Sequence, residues 1–198
     1  MASSIETTST TTTLKNNGNT YLSADTNDVV ALANPLPLTS GGSGFSAANS
    51  VVQIVNVQTG AMATGTTIVP LDDSIPQKTE GIEFMTLAIT PKHASNKLKI
   101  EVNAILSYSA DAVIATLLFQ DSTANALASD MLWSLGTGTR NIASSFTHYM
   151  AAGTTSETTF KVRAGGDNAG TLTFNGRAGG RVYGGTLASS ITITEYSV

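Results

Sequence analysis

An all-β fold, an antiparallel β-sandwich behind an extended N-terminal arm, is predicted by three features of this 198-residue sequence. Side-chain polarity alternates with period two from Lys97 to Tyr108, the pattern of a strand with one buried and one wet face. Short β-branched runs recur from Val51 to the C-terminus, separated at regular intervals by Gly, Asn and Asp turns, as in a sandwich or jelly roll. Charged residues are only 12% of the chain, against a usual ~25%. Thr, Ser, Ala, Gly and Asn take their place, and Thr suits a half-buried pleat because its branched side chain fits there.

The first 50 residues differ from the rest, so residues 1–50 are read as the arm and 51–198 as the head. Thr7 to Thr13 is nearly pure Thr/Ser. Asn19 to Leu32 reads as two short strands around a turn at Asp25 to Asp28. Asn34-Pro35-Leu36-Pro37-Leu38 must be extended, because Pro fixes φ and disfavours helix at the preceding residue. Gly41-Gly42-Ser43-Gly44 is a flexible linker. Alone, this stretch buries too little apolar surface to offset its ordering entropy. Its apolar residues Tyr21, Leu22, Val29, Val30, Leu32, Leu36 and Leu38 are therefore candidate contacts with a partner.

In the head, strands are expected at Val51 to Gln58, Ile82 to Thr90 and Lys97 to Tyr108. In the third, Leu98, Ile100, Val102, Ala104, Leu106 and Tyr108 share one face, and Ile105 is the apolar exception on the other. Ala112 to Phe119 is apolar on both faces and reads as a central strand. Further strands are expected at Ile142 to Met150, Thr158 to Ala164, Thr171 to Phe174 and Ser190 to Tyr196. Asn125 to Leu135 reads as a short helix stopped by Gly136-Thr137-Gly138, or as a loop whose Met131, Leu132 and Trp133 pack on a partner.

Composition excludes several classes of function. The net charge of −4 and pI of about 5.0 come without any Lys/Arg cluster, which argues against nucleic-acid binding. Cysteine is absent, removing disulfides, zinc thiolates and thiol nucleophiles. Met1 to Glu6 lacks the features of a signal peptide, and no window of ~18 apolar residues suggests a membrane span. The expected place of synthesis is a cytoplasm, with release by lysis.

Catalytic constellations are missing from the sequence. His93 falls in a turn, and His148 shares a strand face with Phe146 and Met150, the setting of a packed histidine rather than a ligand. Asp72-Asp73 reads as a turn and lacks the remaining ligands of a calcium loop. The scattered acids offer no general acid and base pair. Gly42-Ser43-Gly44 lacks a nucleophile elbow's strand–turn–helix context, and Gly165-Gly166 with Gly170 is too loosely spaced to cradle phosphate. No enzyme activity and no cofactor are expected. Gly176 to Gly185 has the outline of an Arg-Gly RNA segment, but two arginines between strands fit a close-packed loop better. Arg177, Arg181 and Tyr183 there, with Arg140 and Trp133, are the head's candidate contact residues.

The runs Gln58 to Thr67, Phe84 to Pro91, Ser95 to Ile100, Leu118 to Leu127, Phe146 to Met150 and Leu187 to Glu195 resemble a module of tail-fibre and virion structural proteins of tailed phages, including those of cyanobacteria. The likeness covers about three-quarters of the chain. It implies a tumour-necrosis-factor-like jelly roll acting as a homotrimer, with no catalytic residues. Asn16 to Ser23 resembles the strand-turn repeats of fibre shafts, but only one such unit is expected.

Capsid cement proteins also pair a short arm with a trimeric head. The expectation is therefore a virion protein that cements the major capsid protein or other virion subunits through its arm. The alternative is a fibre knob that touches a host surface glycan or receptor. The remaining rivals are a soluble monomer, a carbohydrate-binding module built on Trp133 with Tyr149 or Tyr183, and a depolymerase. No nucleic-acid or membrane partner is expected.

Overall fold

A computed structural model describes residues 49–134 and 140–198 and, ahead of them, the strand backbone within residues 3–31. The chain divides into two compact units, Met1–Ser50 and Val51–Val198.

The N-terminal unit holds four strands: β1 (Ser3–Thr7), β2 (Thr12–Asn16), β3 (Asn19–Ala24) and β4 (Val30–Ala31). They form an antiparallel meander in chain order. The pair expected across residues 19–32 is β3 with β4, in register at Ser23↔Ala31 and Ala24↔Val30. The Thr-rich stretch ahead of it, expected to be plain arm, supplies β1 and β2, consistent with the strand preference of Thr. The unit is therefore a meander rather than a single strand-turn unit. The Pro-containing segment and the Gly41–Gly44 linker lie outside the described residues.

The head contains β5 (Val51–Thr59), β6 (Ala63–Gly65), β7 (Ile82–Ile89), β8 (Lys97–Tyr108), β9 (Ala112–Gln120), β10 (Ala128–Ser134), β11 (Ile142–Ala151), β12 (Thr158–Gly166), β13 (Leu172–Phe174), β14 (Gly176–Arg177), β15 (Gly180–Arg181) and β16 (Ser189–Tyr196). One sheet runs β5-β16-β8, with β11 on the other edge of β8. β13 extends it along the far end of β8, and β6 pairs outside β13. The second sheet runs β10-β9-β12-β7. Among the eight principal strands, only the β9–β10 hairpin stays within one sheet. Every other step crosses between sheets, which is the connectivity of a jelly roll.

The period-two reading of β8 places its apolar face in the core, with Leu98, Ile100, Val102 and Leu106 at 0% exposure. Opposite lie Ile114 and Leu118 of β9, Phe160 and Val162 of β12, and Met85 of β7. β9 is apolar on both sides for a structural reason. Its second face, with Leu117 and Phe119, packs beneath Val69 of the β6–β7 connection.

The segment read as helix or partner-bound loop is strand β10. It pairs with β9 from Ala128↔Leu118 to Ser134↔Ala112. Its inward row mixes Ala128 and Leu132 with Asp130 and Ser134, so polarity does not alternate and the strand period is hidden. Asp130 is retained there because its Oδ2 accepts a 2.8 Å hydrogen bond from the Ser144 hydroxyl of β11, joining the two sheets at one flank. The short β6, β14 and β15 also escaped the sequence reading.

Gly166 and Gly170 have a packing role. A Cβ at either would lie 2.3 or 2.5 Å from the ring of Tyr108, so only glycine lets the two segments close over that side chain.

Candidate functional site

The head's end beyond β13 and β16 is shaped by a few backbone anchors. Asn175 is 0% exposed and sits in the left-handed region at φ +52°. Its N–H donates to the Ile105 carbonyl at 3.0 Å. Its side-chain amide donates to the Thr59 carbonyl at 2.7 Å, and its Oδ1 accepts from the Ser189 hydroxyl at 2.6 Å. Ser189 Oγ also accepts from the N–H of Ile105 at 2.9 Å. These bonds fill the gap on β8 between β13 and β16.

From this anchor the chain enters the β14–β15 ribbon, which pairs Gly176 with Arg181 and Arg177 with Gly180. Ala178 and Gly179, at φ +49° and +76°, turn the ribbon with the two positive φ values of a type I′ hairpin. Thr173 Oγ1 accepts from Gly179 N–H at 2.9 Å. A single 3-10 turn, Tyr183–Gly185, follows. Tyr183 is at φ +49° and 80% exposed. Its carbonyl accepts from both N–H and hydroxyl of Thr186, at 3.1 and 2.8 Å. A bulky residue held at positive φ with its ring in solvent is a strained arrangement of the kind that clusters at functional positions.

The ribbon, this turn and the start of β11 enclose a hollow of about 760 Å³. Ile105, Val182 and Leu187 give it an apolar lining, while Arg140, Asn141, Arg177 and Tyr183 supply its polar groups. Among the described residues no carboxylate lines it. Arg181 is next in the chain to the lining residue Val182, and its side chain occupies the space a Cβ on Gly185 would need, with Nη1 3.4 Å from that position. Arg140, Arg177, Arg181 and Tyr183, picked out separately in the sequence, thus belong to one end of the head. The lining residues Ile105, Asn141, Val182 and Leu187 were missed, although Ile105 had already stood out as apolar on a polar strand face.

Trp133 lies elsewhere. It points outward from β10 at 62% exposure, beside Met131 at 68%. Met131 and Leu71 line a cleft of about 370 Å³ under the β6–β7 connection, and Ile75 lines the adjoining depression. Leu71 and Ile75 are 60% and 55% exposed, so the outer face of the smaller sheet carries a row of uncovered apolar side chains. Tyr149 is exposed on the outer face of the other sheet, in register with Lys99. The aromatic platform of Trp133 with Tyr149 or Tyr183 is therefore not assembled. Of the arm candidates, Tyr21 and Leu22 lie in β3 and Val30 in β4. Val29, Leu32, Leu36 and Leu38 lie outside the described residues.

A buried carboxylate had no sequence signal. Glu195, at the end of β16, is 0% exposed. Its carboxylate accepts from Asn96 Nδ2 at 2.6 Å, Gln53 Nε2 at 2.5 Å and the N–H groups of Lys92 and His93 at 2.8 and 3.3 Å. Burial alone would push its carboxyl up, but these donors outweigh burial and hold it below the ordinary range. Among the described residues no three His, Cys, Asp or Glu side chains cluster to hold a metal. Asp72 forms the turn expected of it, accepting from Ser74 N–H at 2.8 Å. His148 shares its face with Phe146 and Met150, and burial pushes its imidazole down.

No family model matches the chain, and no curated protein matches it. Among solved structures it is similar to dimeric latent PorU from Porphyromonas gingivalis at 10% identity and TM-score 0.39, covering 80% of this chain and 14% of that one. It is similar to Eiger TNF from S. frugiperda at 11% identity and TM-score 0.38, covering 73% and 93%. It is also similar to the VP2 subviral particle of infectious bursal disease virus at 15% identity and TM-score 0.32, covering 95% and 47%. The chain thus spans less than half the length of the first and third. At these TM-scores, function has to be read from the chain's own residues.

Proposed function

We propose that this chain is a non-enzymatic structural subunit of a phage particle, a homotrimeric capsid cement or decoration protein attached through its N-terminal unit. The observation that carries the reading is the outer face of the smaller sheet. Met131, Trp133, Leu71 and Ile75 are each more than half exposed there, in a chain with only 12% charged residues. Isolated exposed apolar residues are normal, but a grouped patch on a weakly charged surface marks an association site. A second copy of this chain is the proposed cover. The phage assignment rests on the sequence runs that resemble fibre and virion modules. The proposed partners of the N-terminal unit are the major capsid protein or neighbouring virion subunits. Edge strands β10 and β11, or the N-terminal meander, supply backbone groups for strand addition.

Light scattering on the full chain tests this. The expected mass is about three times 20.4 kDa at micromolar concentration, falling to a monomer in a Met131→Asp/Trp133→Asp variant that keeps its strand content. A monomeric wild type would overturn the reading. Deleting residues 1–50 is expected to leave a trimeric head that no longer attaches to particles.

A second reading, a fibre knob facing a host surface, is favoured by the arginine-lined hollow. Imaging the chain at the tail instead of on the shell would decide for it.

A further inference from the structure

We infer that the hollow between Arg140, Arg177 and Tyr183 is a binding site for an acidic oligosaccharide, a short glycan bearing repeated carboxylates. The inference rests on side chains of one protomer and stands whether or not the chains trimerise.

Arginine is distributed unevenly. The sequence contains four. Arg163 is occupied in the fold, its Nε and Nη2 donating to the carbonyls of Glu80 and Gly81 at 2.9 and 2.8 Å and its Nη1 lying 3.6 Å from Glu83. The other three are exposed; Arg140 and Arg177 line the hollow, and Arg181 lies next to its lining residue Val182 in the chain. None has a hydrogen-bond or carboxylate partner among the described residues. Two guanidiniums at one hollow, with no partner among the described residues and on a chain of net charge −4, create a local positive field that attracts anions.

The spacing of the guanidiniums selects the kind of anion. The guanidiniums are exposed and spaced around a rim, so a single small ion would keep its water and gain little. A molecule with several carboxylates spaced along it engages more than one, each through the planar two-pronged geometry that guanidinium offers carboxylate. The volume of about 760 Å³ lies in the ~300–1,000 Å³ range of small-ligand sites.

The apolar part of the hollow narrows the ligand further. Ile105 is the lone apolar residue on the outward row of β8, and together with Val182 and Leu187 it lines the hollow. Tyr183 is held at positive φ with its ring in solvent. Sugar rings present C–H faces that stack on such surfaces while their substituents stay polar. A bare phosphate would use neither group. A nucleic acid would call for successive stacking aromatics, and the hollow has one.

The test is calorimetric titration of the full chain with trigalacturonate at low salt. The expected affinity is on the order of 1 mM or tighter, weakening at high salt. An Arg140→Gln/Arg177→Gln variant should bind about tenfold more weakly, and Tyr183→Ala several-fold more weakly, both with unchanged thermal melts. The fully methyl-esterified trisaccharide should not bind. The inference is overturned if the ester binds as well as the acid, or if the double variant binds like wild type. It is also overturned if trigalacturonate shows no heat at ~10 mM, or if hexaglutamate or a short oligothymidylate binds as tightly.

Discussion

Replacing Glu195 probes a buried polar knot in the head. The carboxylate joins the end of β16 to β5 through Gln53 and to the β7–β8 connection through Lys92, His93 and Asn96. In Glu195→Ala the amide of Asn96, itself 6% exposed, loses its acceptor in a site water scarcely reaches. A stranded buried donor costs about 1–3 kcal/mol. Gln53 retains the Thr90 carbonyl at 2.9 Å and is cheap to abandon. The N–H groups of Lys92 and His93, on exposed residues, recover part of their loss from water. The total is about 3 kcal/mol at neutral pH. Glu195→Gln keeps the size and one oxygen, and Gln53 can turn its own amide to accept, so it should cost only about 1 kcal/mol.

The two forms should also differ in acid. Because the folded carboxyl titrates below its unfolded value of about 4.3, the stabilisation is complete above that value and is lost as pH falls through the lower folded value. Urea unfolding at pH 7 and pH 3, on full chains, should show wild type losing its advantage over Glu195→Gln. Refutation would be a Glu195→Ala cost below ~0.5 kcal/mol at pH 7, or an advantage unchanged at pH 3.

Other residues give independent checks. Gly166→Ala drives a methyl into the ring of Tyr108 and should lower stability by about 1–3 kcal/mol in thermal melts. Asn175→Ala removes the bonds to Thr59 and Ser189 and places an ordinary side chain at positive φ. About 3 kcal/mol is expected by urea titration, with loosening of the β14–β15 ribbon visible as faster amide exchange at Gly179. His148, held neutral by burial, should titrate below the ordinary ~6.5 of histidine in an NMR pH series. Its contribution is complete above that value and declines as pH falls, a slope His148→Gln should flatten.

Much of the head was legible from the chain alone because period two is a local property. β8 has the predicted ends, and β9, β11 and β16 differ from expectation by a residue or so, since polarity alternates wherever one face is wet and the other dry. β10 was misread because Asp130 and Ser134 occupy its inward row, and what makes them tolerable there includes a hydroxyl on β11. No local pattern contains that partner.

The same division governs the sites. Residue types and turn chemistry marked Arg140, Arg177, Arg181 and Tyr183 one by one, but their convergence depends on how β11 and the β14–β15 ribbon are placed beside β8. Glu195 was one of the scattered acids with no motif around it. Its burial is set by Gln53, Lys92, His93 and Asn96, about a hundred residues or more away in the chain. Sequence alone determined the class of fold, because side-chain periodicity selects strands and hydrophobic alternation selects which face is dry. Only tertiary structure decided which polar groups are enclosed and which charges stand together, because desolvation and Coulomb energy depend on distance in space, and chain separation does not report it.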